Sequence, residues 1–350
     1  MNNRHQVIQE GNVNEHTLEA TAQAMVAPGK GLFAADVPPR GLAAGWWGPM
    51  KEPRTAEAAR DFQEMLFRTR GLSDYISSII VFDDIFDQQS KDGTPFPELI
   101  NRQGIMIGIT PTTGWQRLGG SSEEYIPMGL DGLPKRLEKW RELGVRFVKW
   151  RVGVKVGPGL PTSRAIESNA RSVAECAALA QNAGLVPIVE PEVEMRGEHD
   201  IRRHFEVSEW FLHRVFETLY EHRVLLEGIV LKTNMVLSGS DCPVQADMDT
   251  VAAETLKCIR RTVPAAVPGI GFLSGGQTDE KATAHLNAMN VLGPQPWALS
   301  FSYGRAIGRA AMEAWDGKTD DSTGQTALLH RARMNGLATL GRWSADLETK

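Results

Sequence analysis

Short apolar runs that end in a polar residue alternate with longer amphipathic stretches along most of this chain. Each short run has the length of a buried parallel strand, and the longer stretches have helical spacing. Eight consecutive strand-helix units predict a closed (β/α)8 barrel, the TIM barrel of the α/β class. The eight candidate strands are GLFAAD from Gly31, SSIIVFD from Ser77, IMIGIT from Ile105, RFVKWR from Arg146, LVPIVE from Leu185, GIVLK from Gly228, GIGFLS from Gly269 and WALSFS from Trp297.

Three of the stretches between strands carry the clearest helical pattern. We predict one helix that is capped by Ser163 and ended by Gly184. We predict a second that Ser208 opens, and a third that runs from Asp249 to just before Pro264. Each has one apolar face to bury against a sheet. An open, doubly wound sheet is the alternative, but the first strand is not followed by a glycine-rich dinucleotide motif, which favours closure.

The 350 residues would fit one large domain or two ordinary domains by length alone. No repeat, low-complexity segment or flexible linker divides them, so we predict a single barrel domain over residues 1–350. Within it, residues 1–25 are expected to form a polar N-terminal arm or helix. Residues 38–55, rich in Gly and Pro, are expected to form an irregular loop after the first strand.

Composition narrows the classes of function. The net charge is -5 and no dense run of Lys and Arg occurs, which argues against nucleic-acid binding. Charges interrupt the apolar stretches well before the roughly 20 residues that span a bilayer, so we expect no membrane partner. The polar N-terminus lacks the apolar core of a signal peptide, which predicts a cytoplasmic location.

Cysteine and histidine offer no visible metal site. Cys176, Cys242 and Cys258 are far apart and odd in number, so we expect packed residues or free thiols. His199 and His204 are five residues apart, which places them on different faces of a helix, and we expect surface histidines. We therefore predict neither a metal nor a cofactor.

The carboxyl ends of the predicted strands are unusually polar, and this is the end where barrels carry their functional residues. Charges at such positions are rarely buried unless they are paired or take part in chemistry. The charged residues concerned are Asp36, Lys149, Arg151, Glu190, Glu192 and Lys232.

Lys232 follows the apolar run IVL, so its stem would cross a packed layer before its amine reaches the barrel mouth. Burial and a second cation, Lys149, would both lower its pKa and leave a neutral amine that can attack a ketone. Glu190 and Glu192 would point the same way if the strand continues through Pro191, so one could pair with cations while the other transfers protons. Taken singly, each residue is more often structural; their convergence favours chemistry.

Two glycine-containing loops follow the seventh and eighth strands. Backbone amides, a helix N-terminus and a cation are the means by which barrels hold phosphate at this position. We therefore predict substrate-binding residues at Ser274, Gly275, Ser302, Gly304 and Arg305.

From Val26 to about Leu340 the sequence resembles class I fructose-bisphosphate aldolases of the animal and plant type. The segments that carry the resemblance are VAPGKGLFAAD, DGTPFPELI, GLDGLPKRL, FVKWRVGVKVG, GLVPIVEPEVE, LEGIVLKTNMV, RRTVPAAVPGIGFLSGGQ and PWALSFSYGRA. The resemblance implies a homotetramer that acts on a sugar phosphate without a metal.

The resemblance also implies a role for each site residue. Lys232 matches the Schiff-base lysine, Glu190 the proton shuttle and Lys149 the electrostatic partner. Glu192 matches a carboxylate that interacts with the lysine pair, and Asp36 the aspartate that assists carbon–carbon cleavage. The substrate-binding matches are Arg151 as the active-site arginine, and Ser274, Gly275, Gly304 and Arg305 as ligands of the phosphate on the ketone half.

The departures from the family pattern cluster at the distal phosphate. The hydroxyl-rich loop and basic pair of the family are replaced here by the segment from Val37 to Gly45, and Thr110 stands where the family usually has a lysine. Arg40, Lys51 or Arg54 could compensate. The family's terminal tyrosine tail is also missing, because the chain ends at Lys350.

These observations predict a lyase that forms an imine between Lys232 and dihydroxyacetone phosphate and reversibly cleaves a ketose phosphate such as fructose 1,6-bisphosphate. One alternative is an aldolase whose acceptor aldehyde has no phosphate. Two others are a non-catalytic aldolase-like scaffold and a metal-dependent aldolase.

Overall fold

The computed structural model describes residues 15–36, 55–318 and 320–349, and it contains ten strands and ten α-helices within them. The strands are β1 (Gly31–Ala34), β2 (Ile76–Val81), β3 (Met106–Ile109), β4 (Gly114–Arg117), β5 (Tyr125–Met128), β6 (Phe147–Val154), β7 (Val186–Val193), β8 (Val230–Thr233), β9 (Gly269–Phe272) and β10 (Ala298–Tyr303). The helices are α1 (Glu15–Met25), α2 (Ala56–Phe67), α3 (Phe96–Asn101), α4 (Leu133–Glu142), α5 (Ser163–Asn182), α6 (Ile201–Glu221), α7 (Met248–Thr262), α8 (Asp279–Val291), α9 (Arg305–Trp315) and α10 (Ser322–Thr339).

Eight parallel strands of the described chain close a barrel in the order β1, β2, β3, β6, β7, β8, β9, β10 and back to β1. The predicted (β/α)8 fold and all eight candidate strands are therefore confirmed. The antiparallel hairpin of β4 and β5, which lies between β3 and α4, was not predicted. Its strands have only four residues each and are largely exposed, so they lack the apolar run that marks a buried strand.

Alternation along the strands separates two environments. On β6 the residues Val148 and Trp150 face the surrounding helices and join the main core, whereas Phe147 belongs to a second apolar cluster. That second cluster contains Ile188 of β7 and Val230 of β8, and helix α1 packs into it. Side chains on a strand alternate between its two faces, so the residue two positions after each member of the second cluster points to the same side. On β6, β7 and β8 these next residues are polar, and they form a layer between the apolar cluster and the carboxyl ends of the strands.

The predicted helix starts need correction. Helix α5 is capped by Thr162, one residue before Ser163, although it ends before Gly184 as predicted. Helix α7 is capped by Asp247, two residues before Asp249. The side chains of these true caps accept the backbone N–H three residues later, which is the bond that defines a cap. Several cap-forming residues occur close together here, and the sequence pattern alone does not rank them.

The largest error concerns α6, which begins at Ile201 and is capped by Asp200 rather than opened by Ser208. The longer helix places His204 on its buried face, where it is fully buried and its ring stacks on His199 with centroids 5.6 Å apart. The prediction that both are surface histidines is therefore wrong for His204. Ser208 lies one turn later, with its hydroxyl 3.3 Å from the His204 ring.

Three further predictions concern the cysteines, the N-terminal arm and the loop after the first strand. Cys176, Cys242 and Cys258 are free and buried, as predicted. Residues 15–25 of the predicted N-terminal arm form α1, whereas residues 1–14 of that arm and residues 38–54 of the predicted 38–55 loop lie outside the described residues. Within the described chain, every helix is too short or too polar to cross a membrane.

The close packing of β3 on β6 gives a test of the barrel. A Cβ atom on Gly108 would lie 2.0 Å from the ring of Phe147, which is fully buried and held among neighbours. Overpacking of this kind costs about 1–3 kcal/mol, so we expect Gly108→Ala to lower the free energy of unfolding by that amount in urea titrations. Gly153→Ala is the control, since its Cβ would meet nothing closer than 3.9 Å. Equal unfolding midpoints for the two variants would contradict the packing.

Candidate active site

The polar layer at the carboxyl ends of the strands encloses a cavity of about 230 Å³, here called the inner cavity. All eleven site residues predicted from the sequence line it, together with Ala34 and Leu273. They come from six strand ends, and they are Asp36 after β1, Lys149 and Arg151 of β6, Glu190 and Glu192 of β7, Lys232 of β8, Ser274 and Gly275 after β9, and Ser302, Gly304 and Arg305 of and after β10. The period of two along each strand brings these distant positions together.

A buried triad of charges lies at the centre of the inner cavity. The amine of Lys232 is 3.0 Å from Oε1 of Glu190, and the amine of Lys149 is 3.4 Å from Oε2 of the same carboxylate. Each of the three side chains is at most 7% exposed. Glu190 therefore bridges two lysines in a site that excludes most water.

The two lysines differ in the direction of their pKa. Burial lowers the pKa of Lys232 below its ordinary value; Glu190 opposes this shift, and the charge of Lys149 adds to it. Burial also disfavours the charged form of Lys149, but Asp36 and Glu190 outweigh it and raise the pKa. For Glu190, burial favours the protonated form, but Lys149, Lys232 and Arg151 prevail and lower the pKa to about 2. The site thus holds an amine that loses its proton readily beside a lysine that stays charged.

Asp36 receives two donors from different strands. The amine of Lys149 contacts Oδ2 at 2.5 Å, and the hydroxyl of Thr110 donates to the same oxygen at 2.9 Å. Thr110 follows β3 and is buried. In the sequence, Thr110 differs from the lysine that the resembling family usually has at this position, and no local signal predicts the hydrogen bond to Asp36. The contact depends on two strands that are 74 residues apart in sequence.

Glu192 is placed differently from its prediction. It forms an ion pair with Arg151, and among the described residues its carboxylate reaches neither lysine of the triad. Strand β7 does continue in extended form through Pro191, so Glu190 and Glu192 share a face as expected. However, Glu192 lies two residues further along the strand, which moves it about 7 Å toward the mouth and away from the lysines. The described residues therefore show Glu192 paired with Arg151, and its predicted interaction with the lysine pair stays a prediction.

The opposite wall of the inner cavity has the features of a phosphate site. Helix α9 begins at Arg305 with Gly304 as its N-cap, so its first amides are free of intrahelical partners. The hydroxyl of Ser302 is buried and has no hydrogen-bond partner within the described chain. Ser274 and Gly275 complete this wall. A hydroxyl, exposed amides and an arginine suit the oxygens of a phosphate monoester.

The hairpin of β4 and β5 adds an element that sequence reasoning missed entirely. Trp115 of β4 lies beside Arg151, with the guanidinium carbon 5.7 Å from the ring centroid. In the sequence, Trp115 is visible only as a tryptophan next to a glycine in an otherwise polar stretch. That pattern does not predict which strand end the hairpin packs beside.

Comparison with known proteins agrees with this geometry. A family model described as fructose-bisphosphate aldolase class-I matches residues 17–350. A protein of Xanthomonas campestris named "Probable fructose-bisphosphate aldolase class 1" is 49% identical over 331 residues, which cover 93% of this chain and 98% of that protein. A fructose-bisphosphate aldolase of Dictyostelium discoideum is 42% identical over 95% of this chain and 94% of its own.

The fold comparison gives the same result. The structure of a fructose-bisphosphate aldolase from Plasmodium falciparum superposes with a TM-score of 0.93 at 38% sequence identity, covering 96% of this chain and 97% of that one. Family, sequence relatives and fold therefore agree. This chain belongs to the class I fructose-bisphosphate aldolase family of lyases.

Proposed function

We propose that the protein forms an imine between Lys232 and the carbonyl of dihydroxyacetone phosphate, or of the matching ketose phosphate such as fructose 1,6-bisphosphate. It then makes or breaks the carbon–carbon bond next to that carbonyl. The observation that carries the proposal is the buried amine of Lys232, whose pKa is lowered and which lies 3.0 Å from a carboxylate. A neutral amine beside a base is the arrangement that nucleophilic attack on a ketone requires.

Each residue of the triad has a step to perform. The neutral Lys232 amine attacks the carbonyl carbon, and the carbonyl oxygen takes a proton from water and becomes a hydroxyl. Glu190 then accepts one amine proton and returns it to this hydroxyl, which leaves as water, while the other amine proton stays on the imine nitrogen. The resulting protonated imine draws the electron pair of the bond that breaks, while Asp36 takes the proton of the hydroxyl on the carbon that becomes the aldehyde. The charged Lys149 pairs with both Asp36 and Glu190 and so orients the two groups that exchange protons with the substrate. The enamine is then protonated and the imine hydrolysed, which restores the amine.

Charge in the inner cavity fits an anionic substrate. With Lys232 neutral, the lining balances the three cations Lys149, Arg151 and Arg305 against the three carboxylates Asp36, Glu190 and Glu192. Arg305 forms no ion pair with any residue that the structure describes, so its charge is available to a phosphate. The wall around α9 would hold the phosphate on the ketone half and present the carbonyl to Lys232.

Trapping with borohydride tests the proposal. We expect dihydroxyacetone phosphate plus borohydride to leave a stable secondary amine on Lys232, found by mass spectrometry of the peptide that contains it. Protein treated with borohydride alone is the control. No adduct at Lys232 would overturn the proposal and favour the scaffold alternative.

A chelator tests the metal-dependent alternative. Loss of activity on chelation would favour a metal-dependent aldolase, although the described residues contain no group of three His, Cys, Asp or Glu side chains placed to hold a metal.

Thr110 gives a prediction about the cleavage step. Thr110→Val removes the donor to Asp36 and leaves a similar volume, so we expect the rate of carbon–carbon cleavage to fall about tenfold or more. Imine formation with dihydroxyacetone phosphate should be unchanged, because Thr110 contacts neither Lys232 nor Glu190. Thr110→Ser keeps the hydroxyl and should keep the rate. Equal losses in both steps would argue against a positioning role for Thr110.

The proposal also covers the setting of the enzyme. We propose a single-domain protein that acts in the cytoplasm as a homotetramer, as the resemblance to the class I family implies. Light scattering on the purified protein would test the tetramer, and a monomeric mass would contradict it.

A further inference from the structure

We propose that two side chains at the end of β8, those of Thr233 and Asn234, are positioning residues for imine formation. Both directly follow Lys232, and they are buried at 4% and 5% exposure. They hold the Lys232 amine at the distance from Glu190 that proton transfer between the two groups requires. The inference rests on the proposed function, since it concerns the step in which Lys232 attacks the carbonyl.

The backbone pairing between β7 and β8 ends just before the triad. Strand β7 pairs with β6 along all eight of its residues, whereas its pairing with β8 comprises two residue pairs, the second of them Val189 with Leu231. Glu190 and Lys232 are the next residues of their strands. Pro191, which follows Glu190, has no N–H to donate to a ladder. The spacing of base and nucleophile is therefore not set by backbone pairing between their own two strands.

Other strands hold the two groups on either side of this junction. The ladder of β6 with β7 pairs Arg151 with Glu190 and continues beyond them. The ladder of β8 with β9 pairs Lys232 with Gly271. Glu190 consequently stays beside Lys149 of β6, while Lys232 stays with β9. Any separation of β7 from β8 at their carboxyl ends would move the amine away from its carboxylate.

Two side-chain hydrogen bonds, here called the clip, join the strands where the ladder has ended. The hydroxyl of Thr233 donates to the carbonyl oxygen of Pro191 at 3.1 Å, and the amide oxygen of Asn234 accepts the backbone N–H of Val193 at 2.7 Å. Both bonds are buried, which makes them stronger than the same bonds in water. The clip thus connects the backbone just beyond the base to the side chains just beyond the nucleophile.

The burial of Asn234 supports this use of its oxygen. Its Nδ2 is buried and has no hydrogen-bond partner among the residues that the structure describes. A donor left unpaired in the interior lowers stability, and a leucine of similar size would fill the place without that cost. What the asparagine supplies is an acceptor for Val193, at a position where β8 offers no backbone partner in the ladder.

Thr233→Val tests the clip, because it removes the donor and keeps the shape of the side chain. We expect kcat for ketose phosphate cleavage, and the initial rate of borohydride trapping with dihydroxyacetone phosphate, to fall about tenfold to 100-fold, as misplaced reacting groups do. KM should change by less than about twofold, since the phosphate wall is untouched. Thr233→Ser keeps the donor and should restore most of the rate. Asn234→Leu removes the acceptor and should reproduce the losses of Thr233→Val.

The pH profile of kcat/KM distinguishes positioning from a general loss of stability. Burial lowers the pKa of Lys232; among the surrounding charges Glu190 raises it most, Lys149 lowers it and Asp36 raises it. Moving the amine away from Glu190 therefore lowers the pKa further and leaves the amine neutral at lower pH. We expect the rising limb of Thr233→Val to move to lower pH by about half a unit or more.

Ser77→Ala is the matched control at the other end of the barrel. The hydroxyl of Ser77 is buried, and it joins β2 to β1 by donating to the carbonyl oxygen of Gly31 at 3.0 Å. Its loss should lower the thermal midpoint and leave both the rate of trapping and the rising limb at their wild-type values. Thermal midpoints of all the variants show which of them are folded at the assay temperature.

The outcomes separate this inference from the proposed function. A borohydride adduct at Lys232 in the wild type, together with wild-type rates and an unmoved limb in Thr233→Val, would overturn the clip and leave the imine chemistry standing. An equal shift of the limb in Ser77→Ala would also overturn it, because any loosening of the barrel would then have the same effect. No adduct in the wild type would overturn the proposed function itself, whatever the variants show.

Discussion

Replacing Lys232 with methionine is expected to reduce kcat for ketose phosphate cleavage by at least about 10⁴-fold, because the variant lacks the nucleophile of a covalent mechanism. No other amine can substitute for it. Lys149 is the nearest described lysine of the triad, and its pKa is raised, so it stays protonated. Borohydride treatment with dihydroxyacetone phosphate should leave the variant unlabelled. A coupled assay for the released ketone phosphate gives the rate.

The loss of activity in Lys232→Met has to be distinguished from a loss of folded protein. Methionine has a similar length and no amine to desolvate, so the thermal midpoint of Lys232→Met should be close to that of the wild type. Lys257→Met is the activity control, since Lys257 lies on the surface of α7, where its amine pairs with Glu254 and lies over the ring of Phe205. Full turnover in Lys232→Met would remove the basis of the proposed chemistry.

The barrel was predictable because its eight strands are buried on both faces. Runs such as SSIIVFD and LVPIVE have no amphipathic interruption, and the polar residue that ends each run marks the carboxyl end of the strand. The same feature predicted the inner cavity. Since Lys149, Glu190 and Lys232 follow apolar residues of the barrel interior at a spacing of two, closing the sheet brings them together without further information.

Helix starts and side-chain partners were harder to predict, for physical reasons. A cap depends on which of several nearby polar residues adopts the extended conformation. For α6 that residue is Asp200, eight residues before the predicted start at Ser208. Partner choice depends on distances that sequence spacing does not fix. Glu192 forms an ion pair with Arg151 rather than with the lysines. Thr110, which follows β3, donates a hydrogen bond to Asp36, which follows β1. The exposed hairpin gave no periodic signal at all.

Lys149→Met is expected to lower kcat/KM at neutral pH by about 10²- to 10³-fold, the usual cost of removing one preorganised charge from a buried site. It should also move the pH profile. Lys149 lowers the pKa of Lys232 by repulsion, so its removal raises that pKa. The fraction of neutral amine then rises only at higher pH, and the rising limb of kcat/KM moves to higher pH. Lys149→Arg keeps the charge and should keep the limb near its wild-type position.

Glu190→Gln should move the same limb in the opposite direction. Glu190 is the main group that raises the pKa of Lys232 against burial, so the amide leaves the pKa lower still and the amine neutral at lower pH. The rate at the plateau should nevertheless fall by about 10²- to 10⁴-fold, because the proton carrier for imine formation is lost. In profiles of kcat/KM against pH, the rising limbs of Lys149→Met and Glu190→Gln should therefore move in opposite directions. Shifts of the same sign would show that the triad does not control the charge of Lys232.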